Sequence, residues 1–178
     1  MRLFQLTVFG IFSCETVLGQ IQKTAIEDVS IYVKKIDSLR DATILVATNS
    51  PGFVTSIAEG IIEHTKRKLR GGFSTEITSD TTGKILYVIR NSDNLQKNLY
   101  KSYYFKSDKL VFSEIKLTDD DGLSDVLFLR RDIYHDDEVI YSTTDASHLK
   151  AKYRWRIDFD PLTDGYSYLR QFRSEQQK

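Results

Sequence analysis

The chain has 178 residues, and its 25 Lys and Arg residues balance its 25 Asp and Glu residues. This neutral balance argues against nonspecific nucleic-acid binding, which depends on a large positive field. Apolar residues make up 40% and charged residues 28% of the chain, a composition typical of a globular protein rather than a disordered one.

The first predicted element is a secretory signal peptide over residues 1–19. Arg2 precedes a mostly apolar stretch, and Val17 and Gly19 place modest or small residues at positions −3 and −1 of a cleavage site. The apolar stretch has about ten residues, which is too short to span a bilayer. We therefore expect a secreted or periplasmic protein with residues 20–178 as a single mature domain.

The only cysteine, Cys14, lies inside this first segment, in a context that resembles a bacterial lipobox. Lipidation of Cys14 would instead produce an outer-membrane lipoprotein, and a membrane is an expected partner only in that case. The mature domain would contain no disulfide, and the chain has no Asn-x-Ser/Thr glycosylation sequence. Both features fit the bacterial envelope better than an animal secretory pathway.

Two N-terminal helices are predicted within a helical part that covers residues 23–70. Residues 24–27 (Thr-Ala-Ile-Glu) form a capping box, and apolar residues recur at helical spacing after it. The apolar segment 42–48 fits either a helix or a strand. Residues 50–51 (Ser-Pro) predict the start of a second helix, which residues 71–72 (Gly-Gly) would end.

From residue 73 onward the apolar pattern changes to period two, which predicts β-strands joined antiparallel by short turns. The expected strands lie near 73–79, 84–90, 98–106, 109–117, 124–134, 138–143 and 149–159, followed by a shorter element near 166–172 and a frayed tail over 173–178. The predicted fold class is α+β, with two N-terminal helices packed on a curved antiparallel β-meander of about seven to eight strands, 73–172.

The clearest alternation lies in residues 149–160, where apolar residues occupy odd positions and charged residues occupy even ones. In a strand, Tyr153, Trp155 and Ile157 would face the core. The other face would carry four cations about 7 Å apart: Lys150, Lys152, Arg154 and Arg156. These cations are candidate ligand-binding residues for an anion, although a solvated face paired with carboxylates across the sheet is the simpler interpretation.

Aromatic residues supply a second candidate binding surface. Tyr100, Tyr103 and Tyr104 belong to a run that is too dense to lie on one face of a strand. Residues 103–112 (Tyr-Tyr-Phe-Lys-Ser-Asp-Lys-Leu-Val-Phe) resemble a hairpin of many small secreted meander-sheet proteins of Gram-negative bacteria, with an aromatic strand, a tight turn and Lys-Leu-x-Phe. The resemblance implies export and a meander, and it implies no catalytic residues.

Acidic residues in three predicted loops form a candidate metal site. Alternate turns of a meander lie at the same end of the sheet, so loops 91–97, 118–123 and 144–148 should come together. Their carboxylates could bind calcium: Asp93, Asp119, Asp121 and Asp145. Solvated turn residues are the simpler explanation, so no cofactor is expected. The basic run 64–70 is interpreted as the C-terminal end of the second helix rather than as a nucleic-acid site.

The function is weakly constrained, because the mature sequence contains no recognisable catalytic motif. The leading hypothesis is an exported noncatalytic binding or accessory protein of the periplasm or cell surface, with its ligand in a groove between helices and sheet. Its partner would be a small molecule, a glycan or a protein of the cell envelope. The alternative is a carrier of lipid or another apolar ligand in a cavity between sheet and helices, and the third hypothesis is a hydrolase with an unidentified site.

Overall fold

A computed structural model describes residues 5–46, 52–119 and 125–176, with the side chains of the first segment described at residues 20 and 22–43. Helix α1 spans Gln5–Val46 and helix α2 spans Pro161–Glu175. The strands between them are β1 Phe53–His64, β2 Leu69–Asp80, β3 Leu86–Asp93, β4 Asn98–Lys106, β5 Lys109–Thr118, β6 Val126–His135 and β7 Glu138–Asp145. Two 3₁₀ helices, Thr65–Arg67 and Ala151–Arg156, follow β1 and β7.

The seven strands form one sheet in the order of the sequence, and every neighbouring pair is antiparallel. This confirms an α+β fold built on an antiparallel meander. Because each strand reverses direction, the turns 65–68 and 94–97, the end of β5 and the start of β6 lie at one end of the sheet, which we call the Asp93 end. The 3₁₀ helix 151–156 lies at the same end, since Arg156 contacts Asp93 there.

The main hydrophobic core lies between α2 and one face of the sheet. Tyr103 and Phe105 of β4 are fully buried there, and Leu169 and Phe172 of α2 belong to the same cluster. Gly165 allows α2 to approach closely, because a Cβ at this position would lie 3.0 Å from the Tyr103 ring. This face therefore supplies most of the apolar burial that stabilises the fold.

A smaller core lies between α1 and the opposite face. Ile36 of α1 packs with Val88 of β3 and Tyr104 of β4, all three of them buried. Tyr103 and Tyr104 are adjacent in β4 and therefore point to opposite faces. The expectation that the dense aromatic run cannot lie on one face is thus confirmed.

The predicted second N-terminal helix is wrong, because its residues form strand β1 and the beginning of β2. All twelve residues of β1 pair in register with β2 across the turn 65–68. The segment is rich in β-branched residues, which favour a strand over a helix. A Cβ at Gly60 would lie 2.7 Å from the ring of its cross-strand partner Phe73, so any larger residue here would force that ring to move.

The predicted strand 149–159 is also wrong, although its alternation is regular. Residues 151–156 form a 3₁₀ helix, which has three residues per turn and therefore buries Tyr153 and Arg156 on one side. The expected orientation holds for Tyr153 and for exposed Arg154, and it fails for Arg156. Trp155 is only half-buried.

The end of the chain differs from the expected frayed strand. Helix α2 covers both the shorter element predicted near 166–172 and the first part of the predicted tail. Asp160 caps this helix by accepting a 3.0 Å hydrogen bond from the Thr163 amide, and Pro161 follows at the first helical position. The sequence Asp-Pro therefore contained a helix start that the strand interpretation overlooked.

Candidate ligand-binding groove

Helix α1 crosses the sheet from its last strand to its first. Near the middle of α1, the Gln22 side chain donates a hydrogen bond to the Ile140 carbonyl of β7. Near the C-terminal end of α1, the Thr43 hydroxyl lies 2.8 Å from the Thr55 hydroxyl of β1. The helix therefore forms a strap over one face of the sheet, and any space beneath it is a groove with a helical wall.

Polar contacts fix the middle of this strap. Asp37 accepts hydrogen bonds from the Arg90 guanidinium at 2.6 Å and from the Tyr104 hydroxyl at 2.7 Å. Burial raises the pKa of Tyr104 above its ordinary value, so the hydroxyl stays protonated and donates. One turn along, the Arg40 guanidinium makes a bidentate pair with the Glu76 carboxylate of β2. These charge-assisted contacts set the register of α1 over the sheet.

A groove with a cavity volume of about 810 Å³ lies between α1 and the sheet. Its helical wall contains the apolar residues Ile26, Val29 and Val33. The sheet contributes a floor of aromatic and aliphatic side chains, which includes Tyr100, Phe112, Ile133 and Tyr141. Tyr100 and Tyr141 remain 37% and 45% exposed, so the groove opens to solvent along this floor.

Charged residues line another part of the same groove. Arg131 of β6 pairs across the ladder with Glu114 of β5, and its Nε lies 2.6 Å from a Glu114 carboxylate oxygen. Lys116 lies 6.0 Å from the centre of the Tyr100 ring, and Lys34 projects from the helical wall. The groove can therefore contact the apolar and the polar parts of one ligand at the same time.

The three predicted ligand-binding tyrosines separate in the structure. Tyr100 lines the groove and is partly exposed. Tyr104 also lines it, but its ring is buried beneath α1 and its hydroxyl serves Asp37. Tyr103 lies on the other face with an exposed fraction of 0%, where its hydroxyl donates to Asp164 of α2. Tyr103 is therefore a core residue and has no access to the groove.

The four predicted basic ligand-binding residues lie outside this groove. Lys150, Lys152 and Arg154 are exposed in and beside the 3₁₀ helix 151–156. Arg156 is only 6% exposed, and its guanidinium donates to the Asp93 carboxylate and to the Lys97 carbonyl. The expectation of four exposed cations on one strand face is thus corrected to three exposed cations and one buried ion pair.

The predicted acidic cluster contains cations of the protein itself. The expected meeting of loops at one end is seen where Lys97 of the β3–β4 turn pairs with Asp119 after β5. The Asp93 carboxylate binds Arg156, and the Asp145 carboxylate accepts from the Ser147 amide in its own turn. The fourth predicted ligand, Asp121, lies outside the described residues. Within the described segments, no group of three or more potential ligating side chains could hold a metal ion.

Sequence reasoning missed the charged part of the groove. Glu114 and Arg131 were not singled out, because strands of a meander give no sign in the sequence of which residues will be cross-strand neighbours. The apolar wall was visible as the helical repeat of Ile26, Val29 and Val33, and was interpreted as core. The lysines Lys101 and Lys116 near the aromatic run could have drawn attention to the sheet, but Lys101 pairs with Asp164 on the α2 side and only Lys116 lines the groove.

The comparisons with known proteins identify no relative: no family model matches the chain, and no similar curated protein or solved structure was found. Among the helices of the described part of the chain, none is sufficiently long and apolar to cross a membrane.

Proposed function

We propose that this chain is a noncatalytic binding protein that holds a small amphipathic molecule in the groove between α1 and the sheet. The observation that carries the proposal is the groove of about 810 Å³, with its apolar helical wall and its partly charged floor. This volume lies within the range of roughly 300–1,000 Å³ that is typical of small-molecule sites. The site is supported by two rigid elements, the strap and the sheet, which lowers the cost of ordering it around a ligand.

The charges in the groove favour a ligand with an anionic group. Its cations are Lys34, Arg90, Lys116 and Arg131, and its acids are Asp37 and Glu114. Arg90 and Arg131 are already paired with these two acids. Lys34 and Lys116 therefore remain the best candidates to bind a carboxylate or a similar group, while the apolar part of the ligand packs on Val29 and the neighbouring wall.

The second candidate function is a carrier of purely apolar ligands, and the apolar wall of α1 favours it. The charged floor opposes it, since an apolar ligand would remove Lys116 and the Arg131–Glu114 pair from water without replacing their hydrogen bonds. No observation favours the hydrolase hypothesis. The carboxyl groups with lowered pKa values, Asp145 and Asp160 among them, serve turns and a helix cap through hydrogen bonds to nearby residues.

Export to the periplasm or the cell surface remains part of the proposal, with a glycan or protein of the envelope as further possible partners. The described contacts between α1 and the sheet come from Gln22 and later residues. A mature chain that begins at Gln20 would therefore keep them. We expect N-terminal sequencing of the exported protein to begin at or near Gln20, and a lipid on Cys14 or retention of Met1 would contradict this.

The groove can be tested by titration with Nile red, an uncharged dye that fluoresces in apolar sites. We expect the wild type to bind the dye in a saturable manner. Val29→Phe should bind it about tenfold or more weakly, because the added ring fills the groove. The matched control is Ile31→Phe on the same helix, since Ile31 is 66% exposed and does not line the groove. Equal affinity of the wild type and both variants would contradict the proposed site.

Ligand class is tested by displacing the dye with a fatty acid and with the alcohol of the same chain length. The two competitors share their apolar tail and differ in the carboxylate, which Lys34 and Lys116 should favour. We expect the acid to compete at lower concentration, and Lys116→Gln to reduce this preference. Equal competition by acid and alcohol would support the carrier of apolar ligands instead.

A further inference from the structure

Three buried side-chain nitrogens without a hydrogen-bond partner lie together at the Asp93 end of the sheet. They are Nδ1 of His64, Nε1 of Trp155 and Nε of Arg156, and no other such atom occurs in the described segments. Trp155 and Arg156 present N–H donors, and buried donors are normally paired. A concentration of unpaired donors at one place points to an acceptor that binds there.

The ring of Trp155 is surrounded by His64 and two arginines. The His64 ring meets the Trp155 ring edge to face, with centroids 4.9 Å apart. The guanidinium carbons of Arg67 and Arg156 lie 4.5 Å and 5.4 Å from the Trp155 centroid. Arg67 is exposed and belongs to a short turn helix, so its side chain can move from the ring towards a ligand. We call the four residues the Trp155 cluster.

The fold brings the two basic runs of the sequence to the same end of the sheet, where Arg67 of one run and Arg156 of the other lie against the Trp155 ring. Strand β1 delivers the turn with Lys66, Arg67 and Lys68, and the 3₁₀ helix 151–156 delivers Lys152 and Arg154. All five side chains are exposed, and the structure pairs none of them with an acid among the described residues. The two runs are more than eighty residues apart in sequence, so neither run alone predicts this concentration of positive charge.

We propose that the Trp155 cluster is a binding site for a phosphate group. A phosphate presents several strong acceptor oxygens and up to two negative charges near neutral pH, and it would satisfy the N–H donors of Trp155 and Arg156. Arg67 supplies a planar donor that can bind two of its oxygens. Lys152 precedes Trp155 by three residues, so it lies on the same side of the 3₁₀ helix. The site is separate from the groove under α1, so either can fail without the other.

The chemistry of the Trp155 cluster disfavours a metal cation, a neutral sugar and an apolar molecule as its ligand. A metal cation would be repelled by the Arg67 and Arg156 guanidiniums. A neutral sugar or an apolar molecule would leave their charge unused. Asp93 occupies the Nη2 end of the Arg156 guanidinium and leaves its Nε without a partner, and Glu63 lies 3.4 Å from Arg70.

The single tryptophan of the chain gives a direct test, because Trp155 is both the intrinsic fluorophore and the centre of the site. We expect inorganic phosphate at constant ionic strength to change the emission in a saturable manner, and sodium chloride alone to leave it unchanged. The double variant Arg67→Gln with Lys152→Gln should bind phosphate about tenfold or more weakly. A wild-type emission that responds equally to phosphate and to chloride would overturn the proposal.

The matched control removes two lysines at the opposite end of the sheet, Lys84→Gln with Lys109→Gln, where the β2–β3 and β4–β5 turns lie. It loses the same formal charge and should bind phosphate as the wild type does. A second variant, Trp155→Phe, keeps a ring and removes the N–H donor, so calorimetry should show weaker phosphate binding. Equal loss of affinity in the control pair would reduce the effect to net charge and contradict a built site.

The source of the phosphate group is distinguished by two further arms. Vesicles of phosphatidylcholine containing phosphatidic acid present the group on a surface, and vesicles of phosphatidylcholine alone are their control. Saturation by inorganic phosphate with no difference between vesicles supports a free phosphate or phosphorylated small molecule. Selective binding to the phosphatidic acid vesicles that is lost in the Arg67 and Lys152 double variant supports a lipid headgroup. No response in either arm would overturn the proposal.

Discussion

Ile36 and Ile31 test whether α1 is docked on the sheet by the face described above. Both are isoleucines within the same helix, but Ile36 is 2% exposed and Ile31 is 66% exposed. Ile36 packs against Val88 and Tyr104 in the smaller core, whereas Ile31 points to solvent. Substitution of each by alanine therefore compares a buried with an exposed position in one element, with identical chemistry.

The expected magnitude follows from the groups removed. Ile36→Ala deletes three carbon atoms, worth about 0.8 kcal/mol each when buried, and the cavity left behind adds to this loss. The free energy of unfolding should fall by about 2–5 kcal/mol. Ile31→Ala should change it by less than about 0.5 kcal/mol, since little burial is lost and alanine has the higher helix propensity.

Urea unfolding followed by far-UV circular dichroism measures both values. Unchanged slopes of free energy against urea would show that the variants alter stability rather than the extent of unfolding. If Ile36→Ala and Ile31→Ala cost the same within about 0.5 kcal/mol, α1 does not pack by this face. The groove would then lose its helical wall.

Three further predictions concern the cap of α2 and the Asp93 end of the sheet. Asp160→Ala should cost about 0.5–2 kcal/mol near neutral pH and Asp160→Asn much less, because asparagine retains the capping acceptor. The hydrogen bonds from Thr163 lower the pKa of Asp160. The stabilisation from its charge is therefore present above about pH 4 and is lost as the pH falls through the lowered pKa. A difference in stability between wild type and Asp160→Asn that does not change with pH would refute this. Asp93→Ala leaves the buried Arg156 guanidinium without its acid and should lower the free energy of unfolding by about 3–5 kcal/mol. In a double-mutant cycle its effect should couple strongly to that of Arg156→Met, and additive effects would contradict the ion pair. Melting temperatures in calcium and in chelator should agree, since protein cations already occupy two of the predicted ligands, and a higher value in calcium would restore the metal site.

The meander was predictable because its signals are local. Period-two patterns and short turns placed β2 to β7 close to their observed bounds, and strands joined by short turns must pair antiparallel. The helical character of residues 24–40 was also predictable from their apolar repeat. The capping box at 24–27 was not a helix start, because α1 already begins at Gln5 and the Thr24 hydroxyl donates to the Gln20 carbonyl within the helix. The segment from 42 onward, ambiguous in sequence, continues the same helix to Val46.

The errors arose where tertiary pairing decides between two local patterns. Residues 53–64 place Ile57 and Ile61 four apart, which fits a helix, but a neighbouring strand of equal length was available across a short turn. In 149–159, the burial of Arg156 on Asp93 depends on an acid more than sixty residues away. Such contacts have no local signature, so the alternating pattern was given more weight than it deserved.

The candidate sites show the same limit. Tyr100 was identified because an aromatic run must leave some rings near the surface, and it does line the groove. Its partners in the groove, such as Arg131, depend on strand register across two hairpins. The two basic runs were each recognised in sequence, but their meeting around Trp155 required the whole sheet to be in place.

The groove itself is tested most directly by methyl NMR of the protein labelled at isoleucine and titrated with Nile red. Ile26 and Ile133 line the groove, one from the helix and one from the sheet. Ile57 and Ile61 are exposed on the edge strand β1 and do not line it. We expect the methyl resonances of Ile26 and Ile133 to shift in a saturable manner while those of Ile57 and Ile61 stay in place. Shifts confined to Ile57 and Ile61, or no saturable shift at Ile26 and Ile133, would contradict ligand binding beneath α1.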